Sequence, residues 1–583
     1  MPIEMWVTHS LDKLFPESVK PAGAPQRIAL KAARNETEDA QVALQIPTGM
    51  EIPEASFTLP DLVGATGKIA RADLSASWVW YVYVLNNPPA NRDPASYLRK
   101  APAFFPDAFL EEKKVFLRDG WTQSLWVSVT VPKGTAPGEY AGTLGIDLVD
   151  KRREKHHVDV PITIAVWPFT LPDKLHLHHT EWFWPSALAT YYHLQPWSEA
   201  HWSWIEKAAI DLARHHNDII LTPFVDLVGR TKTASGFKYD FTRFDRWVKL
   251  FRKHGVDWIE GAHVAGRGGG WESDFVWRRF SIVDGAGKPI DTARDKMSEA
   301  EFEPYLESFL KAIHAHIKKM GWADTFVQHV ADEPIPANET SWTKLAAKVR
   351  QWLPGVKTID AVETDSLEGY VDWRVPQIQE ITPNRKRHAK EDLWSYTCLV
   401  PQGHYPNRFL DYPSIRNRIL FWLSYTYDLK GFLHWGYNSW RAWQGVPADI
   451  PISPWQDASA GSIYCADRNP LPAGDPHIVY PGKHSICSSI RWEVVRKGFE
   501  DFEYLYMLDQ AVSGRGGDAR AKSVRRGAPQ RAPDARAMSA AKKLLHRVKT
   551  DLAATPLQHT RDDLELLTAR EQVGELLAKL IAE

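Results

Sequence analysis

The chain has 583 residues, a formal net charge of −1, 44% hydrophobic residues and 25% charged residues. A chain of this length is too long to fold around one ordinary hydrophobic core, so several domains are expected. The near-zero charge excludes the strongly basic class that binds nucleic acid or anionic membranes electrostatically. Three cysteines are too few for a disulfide framework and lack metal-binding spacing. No apolar run approaches the ~20 residues of a membrane span.

Residues 1–170 are predicted to form a β-sandwich. Gln41–Ile46 and Leu125–Val131 show the alternation and β-branched runs of half-buried strands, and turn signals such as Pro137–Gly138 lie between such segments. The strand predicted over Pro161–Val166 ends this domain. The first residues, Met1–Met5, lack the charged and apolar regions of a signal peptide, which predicts a cytoplasmic protein as written. A secreted or periplasmic form trimmed of its signal would look the same.

Residues 171–484 are predicted to form a (β/α)8 barrel of the TIM type, because predicted strands alternate with predicted helices. The strands are predicted over His176–Trp184, Asp218–Asp226, Val256–Ala265, Thr325–Ala331, Val356–Val362, Val375–Thr382, Leu393–Leu399 and Gly431–Gly436. The glycine run Gly266–Gly270 does not have the spacing of a phosphate-binding loop. We interpret it as a mobile active-site loop.

Residues 485–583 are predicted to be helices that pack on the barrel. An amphipathic helix is predicted over Ser485–Leu508, and two more over Met538–Leu552 and Asp562–Ile581. Between them, the segment near 513–536 is rich in glycine, alanine and arginine, which is typical of a flexible connector.

The segment Thr325–Pro334 begins as a buried strand and ends in two adjacent carboxylates, Asp332 and Glu333, before a proline that stops the strand. Two acids at the end of a buried strand are costly unless water, hydrogen bonds or a substrate compensate them. One alternative is a structural pair that caps the next helix. Because barrel active sites lie at the carboxyl ends of the strands, the pair is the first candidate for catalysis.

The other predicted strand ends supply acids and aromatic rings, which favours a sugar site with general acid catalysis. The chain has 26 tryptophans, whose apolar faces suit sugars but also fill large cores. The residues predicted to contact substrate are Glu181, Asp226, His263, Trp394, Tyr396, Trp435, Tyr437 and Trp440. Strands alternate their faces, so about half of the aromatic rings at the last two strands should point into the site.

Metal-dependent hydrolysis is the first alternative chemistry. His176, His178 and His179 form an H-x-H pattern on the first predicted strand. That chemistry also needs ligands on later strands, and the fifth and sixth strands have no histidine. We therefore predict no metal and no cofactor.

A separate nucleophile is the second alternative. Ordinary retaining glycosidases use two carboxylates ~5–5.5 Å apart. The seventh predicted strand carries none, and Glu363 on the fifth is the remaining candidate. An adjacent acid pair without a required nucleophile favours substrate assistance, in which the 2-acetamido carbonyl of the sugar attacks the anomeric carbon.

The chain resembles glycoside hydrolase family 123 and its wider relatives with a domain of unknown function 4091. The residues that carry this resemblance are Ala33–Glu38 with Gln41, Asp332–Pro334, Trp394–Cys398 with Tyr405–Asn407 and Gly431–Gly436, and Ser489–Glu493 with Arg496–Leu505. The resemblance implies a β-sandwich, a (β/α)8 barrel and retaining β-N-acetylgalactosaminidase activity.

The resemblance also implies roles for the acid pair. Glu333 would be the general acid and base, and Asp332 would bind the acetamido N–H. Tyr396 is predicted to donate its hydroxyl to the acetamido oxygen. The expected substrate is the carbohydrate of a glycan or glycolipid, with no nucleic acid partner. Two alternatives stay open: a glycosidase for another sugar that uses Glu363, and a non-catalytic carbohydrate-binding protein.

Overall fold

The structure is a computed structural model that describes residues 2–87, 96–364, 366–441, 451–459, 471–514 and 534–581. Residues up to Thr170 form a strand-rich region. Its strands are β1 Glu4–His9, β2 Ile28–Arg34, β3 Glu36–Gln45, β4 Ile52–Thr58, β5 Leu62–Gly64, β6 Gly67–Ile69, β7 Leu74–Val84, β8 Ala103–Phe109, β9 Val115–Leu117, β10 Thr122–Val131, β11 Gly138–Val149 and β12 Lys155–Thr170.

These strands build two sheets around one apolar core. One sheet has the order β1-β3-β10-β7-β8, and the other has the order β2-β12-β11-β4-β9, with β5 and β6 at its side. Val42 and Leu125 of the first sheet share a buried cluster with Ile146 and Ile162 of the second. Alternating side chains therefore bury one face of each sheet, as the strand period requires. The prediction that the N-terminal region is rich in strands is confirmed.

Parallel strands with short additional hairpins follow. The strands are β13 His178–Glu181, β14 Ile219–Thr222, β15 Gly229–Thr233, β16 Gly236–Asp240, β17 Trp258–Gly261, β18 Ala265–Arg267, β19 Phe275–Trp277, β20 Ile282–Val283, β21 Pro289–Ile290, β22 Phe326–Gln328, β23 Lys357–Ala361, β24 Trp373–Val375, β25 Asp392–Leu393, β26 Ser395–Thr397, β27 Gly431–His434, β28 Tyr480–Pro481 and β29 Ile486–Cys487.

The main sheet is parallel and nearly closed. Its order is β25-β24-β23-β22-β17-β14-β13-β27-β26. The terminal members β25 and β26 are separated in sequence by Trp394 alone. One continuous segment thus pairs with β24 through Asp392–Leu393 and with β27 through Ser395–Thr397. The sheet is barrel-like because the same segment forms both of its edges.

The helices surround this sheet and close the chain. They are α1 Pro185–Tyr191, α2 Glu199–Arg214, α3 Phe224–Leu227, α4 Thr242–Lys253, α5 Glu299–Lys319, α6 Glu339–Trp352, α7 Ile381–Arg387, α8 Ile415–Thr426, α9 Ile490–Ser513, α10 Ala535–Arg547 and α11 Asp563–Leu580. Within the described residues, no helix is both long and apolar enough to cross a bilayer. Most of the predicted connector near 513–536 lies outside the described residues.

Two local predictions were wrong. The sixth strand stops at Val375 because Pro376 follows, and the predicted segment continues into α7. The second strand ends at Thr222 before Pro223, and α3 replaces its last part. Gly266 of the glycine run lies in β18, which pairs with β19, and Gly268–Gly270 lie in the connection between these two strands.

Helix α9 connects the barrel-like region to the strand-rich region through buried ion pairs. Arg491 pairs with Asp107 at 2.9 Å, and Lys497 pairs with Glu36 at 2.7 Å. The helix begins at the Ser489 cap and packs against α8. Any Cβ at Gly498 would lie 2.0 Å from the Phe421 ring, so only glycine permits this approach.

We expect Arg496→Ala to lower stability far more than turnover. Arg496 donates to Asp39 at 2.6 Å and also pairs with Glu493, with all three side chains buried. Its removal leaves two buried carboxylates without their cation, which should cost about 3–5 kcal/mol of unfolding free energy. Calorimetry gives the melting temperature, and Lys344→Ala on the exposed face of α6 is the matched control. An unchanged melting temperature with lost turnover would contradict the structural role.

Candidate active site

Asp332 and Glu333 lie just beyond the carboxyl end of β22 in a strained backbone. Glu333 has φ of 51°, in the left-handed region that residues with a side chain rarely adopt. Arg267 of β18 holds this turn by donating to the backbone carbonyls of Asp332 at 3.2 Å and Glu333 at 2.5 Å. Such strain persists only where surrounding contacts enforce it, and it is concentrated at functional sites.

The surroundings of Glu333 favour its protonated form. Burial and repulsion from Asp332 raise the pKa of Glu333 to about 8, although a hydrogen bond from the Tyr396 hydroxyl opposes the rise. That hydroxyl lies 2.5 Å from Oε1 of Glu333. A carboxyl group protonated near neutral pH can act as a general acid.

The surroundings of Asp332 differ because positive charges oppose its protonation. Its side chain is 43% exposed, so solvent reaches it from the mouth of the barrel-like sheet. Burial among the walls still raises the pKa of Asp332, and His329, Arg278 and Arg267 oppose that rise. The two adjacent acids are therefore unequal. Three cations oppose the protonation of Asp332, whereas repulsion from Asp332 favours the protonation of Glu333.

A buried ionic network lies beneath Asp332. His329 contacts Asp360 through Nδ1 at 2.8 Å and Glu260 through Nε2 at 2.5 Å, and all three side chains are fully buried. Burial lowers the pKa of His329, but the hydrogen bonds that it donates to both carboxylates raise the pKa to about 10. His329 is thus an imidazolium held in place by two acids. The sequence analysis did not predict this network. Charged residues inside apolar strands were the signal that could have revealed it.

His263 joins this network to Asp332. Its Nε2 lies 3.6 Å from Oδ1 of Asp360 and 3.9 Å from Oδ1 of Asp332. Burial, reinforced by repulsion from His329, holds the pKa of His263 well below its usual value. His263 is therefore neutral, and it lies under the acid pair, close to where the prediction placed it.

The donor set of this network does not suit a metal ion. His263, His329 and Asp360 place ligand atoms within 4.8 Å of one another. However, both ring nitrogens of His329 contact carboxylates, so both carry protons and neither offers a lone pair. The histidines of the predicted H-x-H pattern contact protein groups: His176 contacts Glu503, and His178 contacts Asp218.

Glu363 is a neighbour of the acid pair. Its backbone N–H donates to the carbonyl of Pro334 at 3.2 Å, and its Oε1 accepts from Gln377 at 2.5 Å. Burial and repulsion from Asp332 raise its pKa, against the pull of Arg267. Three carboxyl groups thus share this part of the mouth.

Several predicted substrate contacts lie in the interior, which revises their part in the site. Glu181 is fully buried and forms a two-pronged pair with Arg408 at 2.6 and 2.7 Å. Trp394 is fully buried and stacks on Trp373 with ring centroids 5.0 Å apart. The Trp394 ring packs inside the barrel-like sheet. Glu181 faces away from that interior, because the next residue, Trp182, packs inside and strand alternation puts Glu181 on the other face.

The aromatic residues after β27 are divided in the same way. Tyr437 is fully buried and donates to Asp211 of α2 at 2.7 Å, and Trp440 donates to the carbonyl of Val479 at 3.0 Å. Trp435 is half-buried and packs against the cluster that contains Tyr396. Asp226 lines a separate cavity of about 990 Å³ that Asp332 and Glu333 do not line.

Comparison with known proteins identifies the family. The family model for the glycoside hydrolase 123 catalytic domain matches residues 182–508, and the model for the glycoside hydrolase 123 N-terminal domain matches residues 10–148. The chain belongs to glycoside hydrolase family 123. It is therefore a glycosidase with a carbohydrate substrate, which confirms the resemblance and the enzyme class expected from the sequence.

One solved structure agrees on the fold. A family 123 glycoside hydrolase from Clostridium perfringens superposes with a TM-score of 0.68 at 14% identity, over 98% of this chain and 100% of that chain. A family 5 mannosidase from Rhizomucor miehei, with a TM-score of 0.34 at 8% identity over 57% of this chain and 94% of that chain, is too different to bear on it. Among curated proteins, no relative matches the sequence.

We expect Tyr396→Phe to raise the pKa of Glu333 further. The phenol hydrogen bond stabilises the carboxylate form, so its loss should shift the titration upwards by about half to one pH unit. Carbon-13 NMR of glutamate-labelled protein measures this, with the resonance assigned by its loss in Glu333→Gln. A lower pKa in Tyr396→Phe would mean that the hydroxyl stabilises the protonated acid instead.

Proposed function

We propose that the enzyme is a retaining exo-glycosidase that removes terminal β-linked N-acetylgalactosamine by substrate-assisted catalysis. The observation that carries the proposal is the unequal acid pair: Glu333 is protonated near neutral pH, while cations around Asp332 oppose its protonation. The Clostridium perfringens enzyme of similar fold acts in glycolipid glycan hydrolysis. We extend that substrate class to this chain as part of the proposal.

In the first step, the acetamido carbonyl oxygen attacks the anomeric carbon and the bond to the leaving oxygen breaks. Glu333 transfers its proton to that oxygen, and a cyclic oxazolinium-like intermediate forms. Asp332 accepts a hydrogen bond from the acetamido N–H and stabilises the developing positive charge. A fixed carboxylate does this effectively because it needs no reorganisation during the reaction.

In the second step, the ionised Glu333 accepts a proton from water. The water oxygen attacks the anomeric carbon and breaks its bond to the acetamido oxygen, which opens the oxazolinium ring and restores the acetamido group. Two inversions give net retention. In this scheme Tyr396 serves both steps, and the contact of its hydroxyl with Glu333 supports that role. The acetamido oxygen must then compete with Glu333 for that hydroxyl proton. Trp435 remains the aromatic residue proposed to line the sugar site.

The second candidate is a glycosidase that uses Glu363 as its base or nucleophile. The observation in its favour is the position of Glu363 beside Pro334, with a pKa raised by burial and by Asp332. Against it stands the hydrogen bond that Gln377 donates to Oε1 of Glu363, which already occupies this oxygen. A panel of aryl glycosides separates the sugars, and product stereochemistry separates the mechanisms.

The proposal includes the finer architecture. We propose a β-sandwich over 1–170, a (β/α)8 barrel over 171–484 and C-terminal helices over 485–583. The shared core of the two N-terminal sheets and the single segment that forms both edges of the parallel sheet support it.

We expect Glu333→Gln to lose activity in proportion to leaving-group basicity. When the leaving group is a sugar, its oxygen needs a proton from the acid as the bond breaks, so kcat/KM on such glycans should fall by about 10²–10⁴-fold. Activated aryl glycosides need little acid assistance in the first step and should lose much less. Steady-state kinetics on both substrate types measures the difference. Equal losses on both would argue against the acid role.

We expect the acetamido group to be essential and Asp332→Asn to be severely impaired. The matching 2-hydroxyl galactoside has no attacking carbonyl and should be inert, while Asp332→Asn should lose about 10²–10³-fold in kcat.

Thiazoline mimics of the intermediate should bind more tightly than free sugar. Proton NMR of the early product should show the β anomer, and an α anomer formed first would require a directly activated water and reject the mechanism.

A further inference from the structure

Trp271 presents an exposed indole ring beside the acid pair. It lies in the turn between β18 and β19 and is 51% exposed, whereas most tryptophans in the described residues are buried. Large apolar rings left in solvent at the edge of an active site are common ligand contacts. The prediction from sequence treated this segment only as a glycine-rich loop, so the ring was not among its site residues.

Arg267 couples this ring to the acid pair. The guanidinium carbon of Arg267 lies 3.7 Å from the Trp271 ring centroid, and its Nε donates to the Trp271 carbonyl at 2.8 Å. The same guanidinium donates to the backbone carbonyls of Asp332 and Glu333. One planar group therefore connects the indole to the turn that carries the proposed acid.

The turn itself is held in place. The Trp271 carbonyl also accepts from Asn338 at 3.1 Å, and the Ser273 hydroxyl accepts from the backbone of Gly269 at 2.8 Å. These bonds fix the backbone at Trp271, and the stacked Arg267 restricts the indole, so the ring loses little conformational entropy when a ligand covers it. Arg267 covers one face of the indole, which leaves the other face for a ligand.

We propose that Trp271 is the stacking platform for the sugar ring on the leaving-group side of the scissile bond. The inference rests on the proposed function, because Glu333 protonates the leaving oxygen and the leaving sugar must lie on its side of the site. The apolar C–H face of a sugar ring matches an indole face. Trp271 thus selects glycans whose leaving group is itself a sugar, and Arg267 positions the platform against the acid.

Two substrates with the same N-acetylgalactosamine test this role. One is a disaccharide with a galactose leaving group, and the other is the trifluoroethyl glycoside, whose leaving group has no ring. Trp271→Ala should lower kcat/KM on the disaccharide by about tenfold or more, the scale of a lost aromatic contact. The trifluoroethyl glycoside should change by less than about twofold on the same reasoning. Trp271→Phe should recover most of the loss.

The controls separate stacking from support of the backbone. A thiazoline inhibitor occupies only the cleaved-sugar position, so its affinity should be equal in wild type and Trp271→Ala. Trp80→Ala removes another exposed tryptophan, 40% exposed in the strand-rich region, and should match wild type on both substrates. Equal losses on both substrates and on thiazoline binding would assign Trp271 to backbone support. An unchanged disaccharide rate would also overturn the platform.

A binding arm remains valid if the proposed sugar is wrong. If the wild-type enzyme cleaves neither substrate, the proposed function is overturned. Binding of the Glu333→Gln variant to a saccharide array then tests the platform alone. Saccharides of two or more rings should bind less well to Glu333→Gln/Trp271→Ala, while single-ring methyl glycosides should bind both variants equally. Equal binding of every saccharide to both variants, or no saccharide binding at all, would overturn the platform.

Discussion

The buried imidazolium of His329 is the interaction on which the site depends. A charge in the interior is costly unless partners compensate it, and Glu260 and Asp360 do so from the neighbouring strands β17 and β23. The network places a fixed positive charge beneath Asp332, while Glu333 faces its neighbouring acid. In the proposed mechanism, this asymmetry lets two adjacent carboxyl groups perform different tasks at one pH.

The same principle operates at a larger scale in α9. Its arginine and lysine residues reach acids of the strand-rich region, and Gly498 allows close packing on α8. Buried ion pairs add little net stability compared with apolar packing, but removing one partner leaves an uncompensated charge. The helix therefore holds the strand-rich region in one orientation against the barrel-like sheet, whose mouth contains the acid pair.

Much of the fold could be predicted because its signals are local. The alternation of Leu125–Val131 and the capping serine of α5 act over a few residues. The acid pair was found because Asp332, Glu333 and Pro334 end a strongly apolar strand. The ends of elements were less predictable: Pro376 stopped the sixth strand, and the chain after it turned into α7. The sequence also did not show the direction and depth of side chains at the strand ends. Trp394 and Glu181 were therefore expected at the mouth, although both are fully buried.

By itself, the sequence determined the alternation of strands and helices and the position of the acid pair, because periodicity, proline and adjacent carboxylates act through local geometry. The family was expected from the resemblance of its motifs. Tertiary structure alone decided which charges meet. Glu260 and Asp360 come from two strands, and His329 directly follows a third. Arg267 approaches Asp332 and Glu333 from a separate hairpin. Electrostatic effects depend on distance and burial, and both are set only when strands distant in sequence become neighbours in the sheet.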